Sequence, residues 1–430
     1  MAERFCHLAL SWLLFVLGTV FFAIPVQSYA TVSDETLKSL PRPNNDFDVH
    51  NGALLAPILK PRVPGTPGSL EVLQHFVDFF RTTLPEWKLE FQNSTSKTPA
   101  TGNKDVPFVN LIASRDPPWS AAGDTSRLTL AAHYDSKLEP AGFIGATDSA
   151  APCAIIMHSI RSIDAALTGR WNAMKEKQPD STFLDQQGIQ VMLLDGEEAF
   201  SYWTDTDSLY GSRSLAQAME DTYYPATSNY KSPISAISLF VLLDLLGAKD
   251  PQMPSYFKTT HWAYQNMAVL ETRLRQLGQF KSAPSWKKGD KLWFVDSKKE
   301  IFYPSGIGDD HLPFMNRGVE VLHLITSPFP DVWHQITDDA EHLDLNTVED
   351  WSTLLTAFLA EWLELEDTFP KHEGWEFGYE GILLGKYNFL TTDYVFRFSA
   401  SKFLYDFPTV ADYFVRNVRL VGKLKLIVPP

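Results

Sequence analysis

The run Ile237-Ser-Leu-Phe-Val-Leu-Leu243 is almost wholly apolar and stops on Asp244. A segment this short and this apolar suits a strand buried on both faces, the position of a strand in a helix-covered parallel sheet. Ile189 to Leu194 and Leu128 to Ala132 read the same way, and Phe108 to Ala113 and Val319 to Leu324 extend the set. Between and around them Leu70 to Leu84, Ala150 to Ala166, Leu209 to Met219, Trp262 to Leu277 and Leu345 to Leu365 have helical character, with Asp207-Ser208 as the expected cap of the third. Strands alternating with helices predict an α/β fold: a mostly parallel, twisted central sheet with helices on both faces. Ligands of such sheets sit beyond the carboxyl ends of the strands, so polar residues placed just after the strands should converge.

Those positions carry chemistry. After Leu128 to Ala132 come His133-Tyr134-Asp135, then Gly145-Ala-Thr-Asp148-Ser-Ala150, whose small residues let the backbone turn around Asp148. After Ile189 to Leu194 come Asp195-Gly196-Glu197-Glu198. Neighbouring acids leaving a strand point in different directions. One can hold a metal while the other faces a substrate as proton carrier; the same pair would also suit the positive end of a helix. Asp244 follows the next strand, Asp309-Asp310-His311 precede Val319 to Leu324, His323 lies near that strand's end, and the loop Ser327 to His334 comes next. Asp148, Glu198 and His334 make an O/O/N set that suits zinc with an open fourth position, the mark of a catalytic rather than a structural site.

Composition narrows the partners. The 430 residues carry a formal charge of −15, so a phosphate backbone is repelled and no nucleic-acid partner is expected. Arg4, the apolar run Leu8 to Ile24 and the small residues Ser28 and Ala30 read as a signal peptide over 1–30, with a retained signal anchor as the alternative. Either places the body in the secretory pathway, secreted or in the ER or Golgi lumen. The Asn93-Ser-Thr95 sequon agrees. There are two cysteines, and Cys6 lies in the targeting segment. Cys153 is therefore expected alone, as a small packing residue, in a fold that relies on its core. Residues 31 to about 65 show little periodicity and read as a surface-hugging lead-in. A catalytic domain over 31–366 and an aromatic C-terminal extension of unknown role over 367–430 complete the organisation, with a monomer expected.

The segments Ala131-Ala-His-Tyr-Asp-Ser-Lys137, Gly145 to Ala150 with Pro152-Cys153, Asp195-Gly-Glu-Glu-Ala-Phe200, Asp207-Ser-Leu-Tyr-Gly-Ser-Arg213, Val241-Leu-Leu-Asp-Leu-Leu-Gly247, Asp309-Asp-His311 and Val321 to His334 resemble glutaminyl-peptide cyclotransferases, from about residue 66 to about 366. That family belongs with the zinc aminopeptidase-like hydrolases. The resemblance implies one zinc per chain on Asp148, Glu198 and His334, and conversion of the N-terminal glutamine of peptides or proteins to pyroglutamate with release of ammonia. It implies proton transfer by Glu197, handling of the substrate amine and leaving group by Asp244 and Asp309, pocket aromatics at Trp203, Phe329 and Trp333, and a polar position near the site at His323. Two departures stand out. Ala132 occupies a position that is often cysteine in animal relatives, paired with the counterpart of Cys153, so that disulfide cannot form. Gly308 replaces a larger polar residue, which predicts a more open pocket there.

Two other readings use the same residues. His133, Asp148 and Asp244 would be the additional ligands of a two-zinc aminopeptidase. A scaffold that has lost its chemistry is the third reading, although Asp148, Glu197, Glu198 and His334 are all present. Metal content separates the three.

Overall fold

The computed structural model describes residues 30–178, 186–302 and 306–369, with the backbone of 382–383 and 396–397. The chain forms two compact units, Met1–Lys371 and His372–Pro430. In the second, Ile382–Leu383 pairs antiparallel with Phe396–Arg397. The expected signal peptide, Cys6 and nearly all of the 367–430 extension lie outside the described residues. No described helix is long and apolar enough to cross a membrane.

A six-stranded sheet organises the first unit, in the order β1-β2-β4-β3-β5-β6. Its strands are β1 (Lys88–Lys97), β2 (Asp105–Arg115), β3 (Ser126–His133), β4 (Gln187–Leu194), β5 (Ile237–Leu243) and β6 (Val321–Leu324). β4, β3, β5 and β6 run parallel, and β1 and β2 are antiparallel additions at one edge. The sequence gives no warning of β1: it is polar and alternates between exposed and half-buried residues, as an edge strand can. Asn93 of the sequon lies on it, exposed.

Period-2 alternation sends successive strand residues into two cores. Leu128, Leu130 and Ala132 of β3, with Leu239, Val241 and Leu243 of β5, join the larger one. There they meet apolar residues of α2 (Pro67–Thr83), α3 (Ala151–Lys177), α5 (His261–Gln276) and α7 (Leu345–Trp362). Ala131, Phe240 and Leu242 face the other way, onto α4 (Tyr210–Asp221) and α6 (His311–Met315). Phe240 stacks on Phe314 with ring centroids 4.6 Å apart. Truncating such a fully buried ring costs about 3–5 kcal/mol.

Two expectations need correction. The lead-in does not hug the surface: Val32, Leu37, Leu40, Phe47, Leu54, Leu55 and Ile58 are buried in the larger core. It contains α1 (Asp34–Ser39) and a short 3-10 turn (Ala56–Ile58) joined by irregular chain, so its apolar residues follow no period. Nor does Asp207-Ser208 cap α4, which opens on Leu209 at φ +53° without a side-chain cap. The Asp207 carboxylate instead accepts the amides of Phe200, Ser201 and Tyr202 at 2.9–3.0 Å, and the Tyr210 hydroxyl at 2.7 Å.

Candidate functional site

The parallel strands end in step. His133 is in register with Leu194, and Leu243 with Leu324. Whatever follows β3, β4, β5 and β6 therefore emerges at one edge, and the acids and imidazoles gather there.

The two acids after β4 are aimed by the turn. Gly196 sits at φ +78°, and a Cβ there would fall 2.3 Å from the Phe108 ring, so only glycine fits. Asp135, after β3, accepts the Glu197 amide at 3.1 Å and the Glu198 amide at 3.2 Å, one with each oxygen. On the other side α4 donates the amides of Tyr210 to Gly196 O and of Leu209 to Glu197 O. With the backbone held from both sides, the points from which the two side chains leave the turn are fixed. Burial raises the Glu197 pKa well above the usual range; nearby His133 opposes this, while Glu198, Asp309 and Asp310 add to it. Glu198 is raised for the same first reason, with Asp148 adding and Lys137 opposing.

Asp148 stands on the loop between β3 and α3. Its Oδ1 lies 3.0 Å from His133 Nε2. Its Oδ2 is buried with no hydrogen-bond partner, and so is Glu198 Oε1. His334 closes the set: its Nε2 lies 3.4 Å from Asp148 Oδ2 and 3.6 Å from Glu198 Oε2. Burial lowers the His334 pKa to about 4, which keeps the imidazole neutral, the form that binds metals. His334 also has φ +56°, an uncommon backbone conformation for a non-glycine residue. Unpartnered, buried acceptor oxygens are costly unless something cationic meets them. Two carboxylates and a neutral imidazole, drawn from three loops, fit a zinc ion.

Around this centre lie the other expected residues. Asp244 Oδ1 accepts the Leu245 amide at 2.8 Å and the Ser149 hydroxyl, and lies 3.5 Å from His133 Nε2. Burial works to raise the Asp244 pKa, but the bonds from His133 and Ser149 bring it below normal. Asp309 Oδ2 lies 2.7 Å from His323 Nε2, both side chains buried, so His323 backs Asp309 rather than facing solvent. Phe329 and Trp333 pack edge to face at 4.8 Å, and Trp333 stacks on the His334 ring at 3.9 Å. Trp203 is 44% exposed, and its indole fills the space at Gly308: a Cβ there would lie 3.1 Å from Trp203 Nε1. The missing side chain at Gly308 thus makes room for the Trp203 indole.

His133 is buried at the centre of this cluster. Burial alone would lower its pKa, yet the carboxylates of Asp135, Asp148 and Asp244, 3.0–3.5 Å from its ring nitrogens, raise it well above normal. Its ligand atoms also group with those of Asp148 and Asp244. Sequence reasoning gave no role to Lys137, whose Nζ is 3.2 Å from Glu198 Oε2, or to Ser149, Arg62 and Asp338. Lys137 and Ser149 lie inside motifs already singled out. Arg62 and Asp338 carry no spacing signal at all.

This fold and edge define a protein of peptidase family M28, whose model matches residues 110–359. A Bos taurus glutaminyl-peptide cyclotransferase-like protein is 41% identical over 314 residues, covering 72% of this chain and 74% of the relative. A Bos taurus glutaminyl-peptide cyclotransferase is 38% identical over 315 residues, covering 72% and 81%. The crystal structure of Macrostomum lignano glutaminyl cyclase superposes with a TM-score of 0.63 at 30% identity, covering 78% of this chain and 93% of that one. The chain belongs to the glutaminyl-peptide cyclotransferase family.

Proposed function

We propose that this protein is a zinc-dependent glutaminyl-peptide cyclotransferase, which closes the N-terminal glutamine of a peptide or protein to pyroglutamate and releases ammonia. One observation carries the reading: in a chain of this family, Asp148, Glu198 and His334 bring ligand atoms together with unpartnered oxygens among them. A zinc ion held by these three residues would act as a Lewis acid on the γ-carboxamide oxygen.

The remaining work falls to the chain. The α-amine attacks the γ-carbonyl carbon of its own residue, a new N–C bond forms, and the bond to the carboxamide nitrogen breaks. Glu197, kept protonatable by burial, takes a proton from the attacking amine and delivers one to the departing ammonia. Asp244 and Asp309 receive the amine and the leaving group. Both reacting groups belong to one residue, so the site need only hold a bent conformer. Trp203, Phe329 and Trp333 supply walls for it and limit the water that would otherwise hydrolyse the amide.

A single ion per chain is favoured by His133. Its Nε2 lies 3.0 Å from Asp148 Oδ1 and 3.5 Å from Asp244 Oδ1, so the ring already bridges the two carboxylates that a second ion would need. The grouping of those same three side chains supports the alternative, a two-zinc aminopeptidase. Entry into the secretory pathway through residues 1–30, and glycosylation at the exposed Asn93, belong to the same proposal.

Incubating the purified protein with a glutamine-starting dipeptide, with and without a chelator, decides among the readings. Chelator-sensitive loss of ammonia with one zinc per chain supports the cyclase. Two metals with release of the first residue would replace it by the peptidase, and absence of metal and turnover by a scaffold.

A further inference from the structure

Arg62 is fully buried, in a segment whose lack of periodicity suggests a surface position. Its guanidinium makes no ion pair among the described residues. It donates instead to main-chain carbonyls: Nε to Tyr134, Nη1 to Ile144 and Lys60, Nη2 to Gly145 at 2.9 Å and to Asp148 at 3.4 Å. Its own amide is fixed on Ser136 Oγ at 2.9 Å. Three of those carbonyls, from Ile144, Gly145 and Asp148, belong to the loop that carries Asp148. The opposite side of the loop is held by Asp338, also fully buried. Its carbonyl accepts the Ala146 amide at 3.0 Å, and its Oδ1 accepts the Thr147 amide at 2.8 Å. Asp338 follows His334 by one turn, closed by its amide on Gln335 O at 2.9 Å.

We infer that Arg62 and Asp338 are positioning residues that clamp the Asp148 loop from its carbonyl and amide sides, setting the spacing of Asp148 to His334 before any metal arrives. A buried guanidinium without a carboxylate partner is expensive, and carbonyl dipoles compensate it only if they are held in place. The charges that face it are the carboxylates Asp135, Asp148 and Asp338. Arg62 therefore also supplies fixed positive charge behind a ligand whose outward oxygen is unpartnered. Asp338 ties two ligand loops, distant in sequence, into one unit. This inference rests on the reading of Asp148 and His334 as metal ligands.

Zinc affinity, measured by competition with a chelator of known strength, tests it in Arg62→Lys, Asp338→Ala and Asp338→Asn. The clamp predicts at least a tenfold loss of affinity in Arg62→Lys and Asp338→Ala. Asp338→Asn keeps an acceptor for Thr147 and should stay within about threefold of the parent. A residue that only stabilises the fold would lower the melting temperature and leave zinc affinity in place. If Arg62→Lys and Asp338→Ala fold and hold zinc within twofold of the parent, the clamp is refuted. Should those variants fail to fold, hydrogen exchange on the unaltered metal-free protein decides. The Ala146 and Thr147 amides must already be protected; free exchange that slows only when zinc is added refutes the clamp equally. A parent protein that binds no zinc would overturn the ligand reading itself, a separate outcome.

Discussion

His323 Nε2 lies 2.7 Å from Asp309 Oδ2, and both side chains are buried. Burial lowers the His323 pKa to about 4, with Asp244 opposing, and raises the Asp309 pKa well above the carboxylate range, with Asp244 adding. At neutral pH the imidazole is thus neutral, and burial makes Asp309 hold its proton more tightly than an ordinary carboxyl. Asp309→Asn keeps the shape and loses the titration. It should retain zinc by elemental analysis and lower kcat by about 10²-fold, the lower end of what a proton-handling group contributes. Unchanged kcat would remove Asp309 from the chemistry.

Glu197 stands beside a ligand without completing the O/O/N set. Glu197→Gln should therefore keep stoichiometric zinc and lose about 10²–10⁴-fold in kcat. His334→Ala should do the reverse in order of events: zinc goes first and activity with it. Undiminished zinc in His334→Ala would move the third ligand elsewhere. Removing zinc from the parent by dialysis should also lower the melting temperature. A ligand present at 100 times its Kd stabilises by about 2.7 kcal/mol.

Burial pushes the His311 pKa down to about 2, and His323 adds to the shift. In the unfolded chain it titrates near its ordinary value of about 6.5. Between those values the unfolded state binds the extra proton. Stability is complete above about pH 6.5 and declines as pH falls toward the folded value. His311→Gln removes that proton uptake, so its urea midpoint should fall less than the parent's between pH 7.5 and pH 5. Equal slopes for the two proteins would contradict this account.

Cys153 is buried on α3, and burial raises its thiol pKa to about 12. Its Sγ donates to the His133 carbonyl at 3.3 Å. A thiol that is neither exposed nor ionised should resist alkylation until denaturant is added. A reductant that does not chelate metal should leave the melting temperature unchanged. A large drop would reveal a disulfide.

Much of this is legible in the sequence. Ile237 to Leu243 and Ile189 to Leu194 are strands because short apolar runs have few other places to go. With β3 they run parallel, so the residues at their carboxyl ends share one edge. That rule brought Asp148, Glu198, Asp244 and His334 to a common place on local pattern alone. β1 escaped because an edge strand needs only half its faces covered, and polar alternation is no strand signal of its own. The neighbour of Gly308 was not legible because an absent side chain says nothing about which residue takes the space; here Trp203 does.

The sequence by itself determined the parallel strands, the edge where chemistry gathers and the residue types able to hold zinc and move a proton, because each depends on the period and order of a few neighbouring residues. Only the tertiary structure decided that Arg62 grips the Asp148 loop, that Asp338 ties it to the His334 loop and that Asp135 aims both Glu197 and Glu198. Those contacts join positions far apart in the chain. Hydrogen bonds to backbone carbonyls and amides demand a position in space and almost nothing of the local sequence, so no motif announces them.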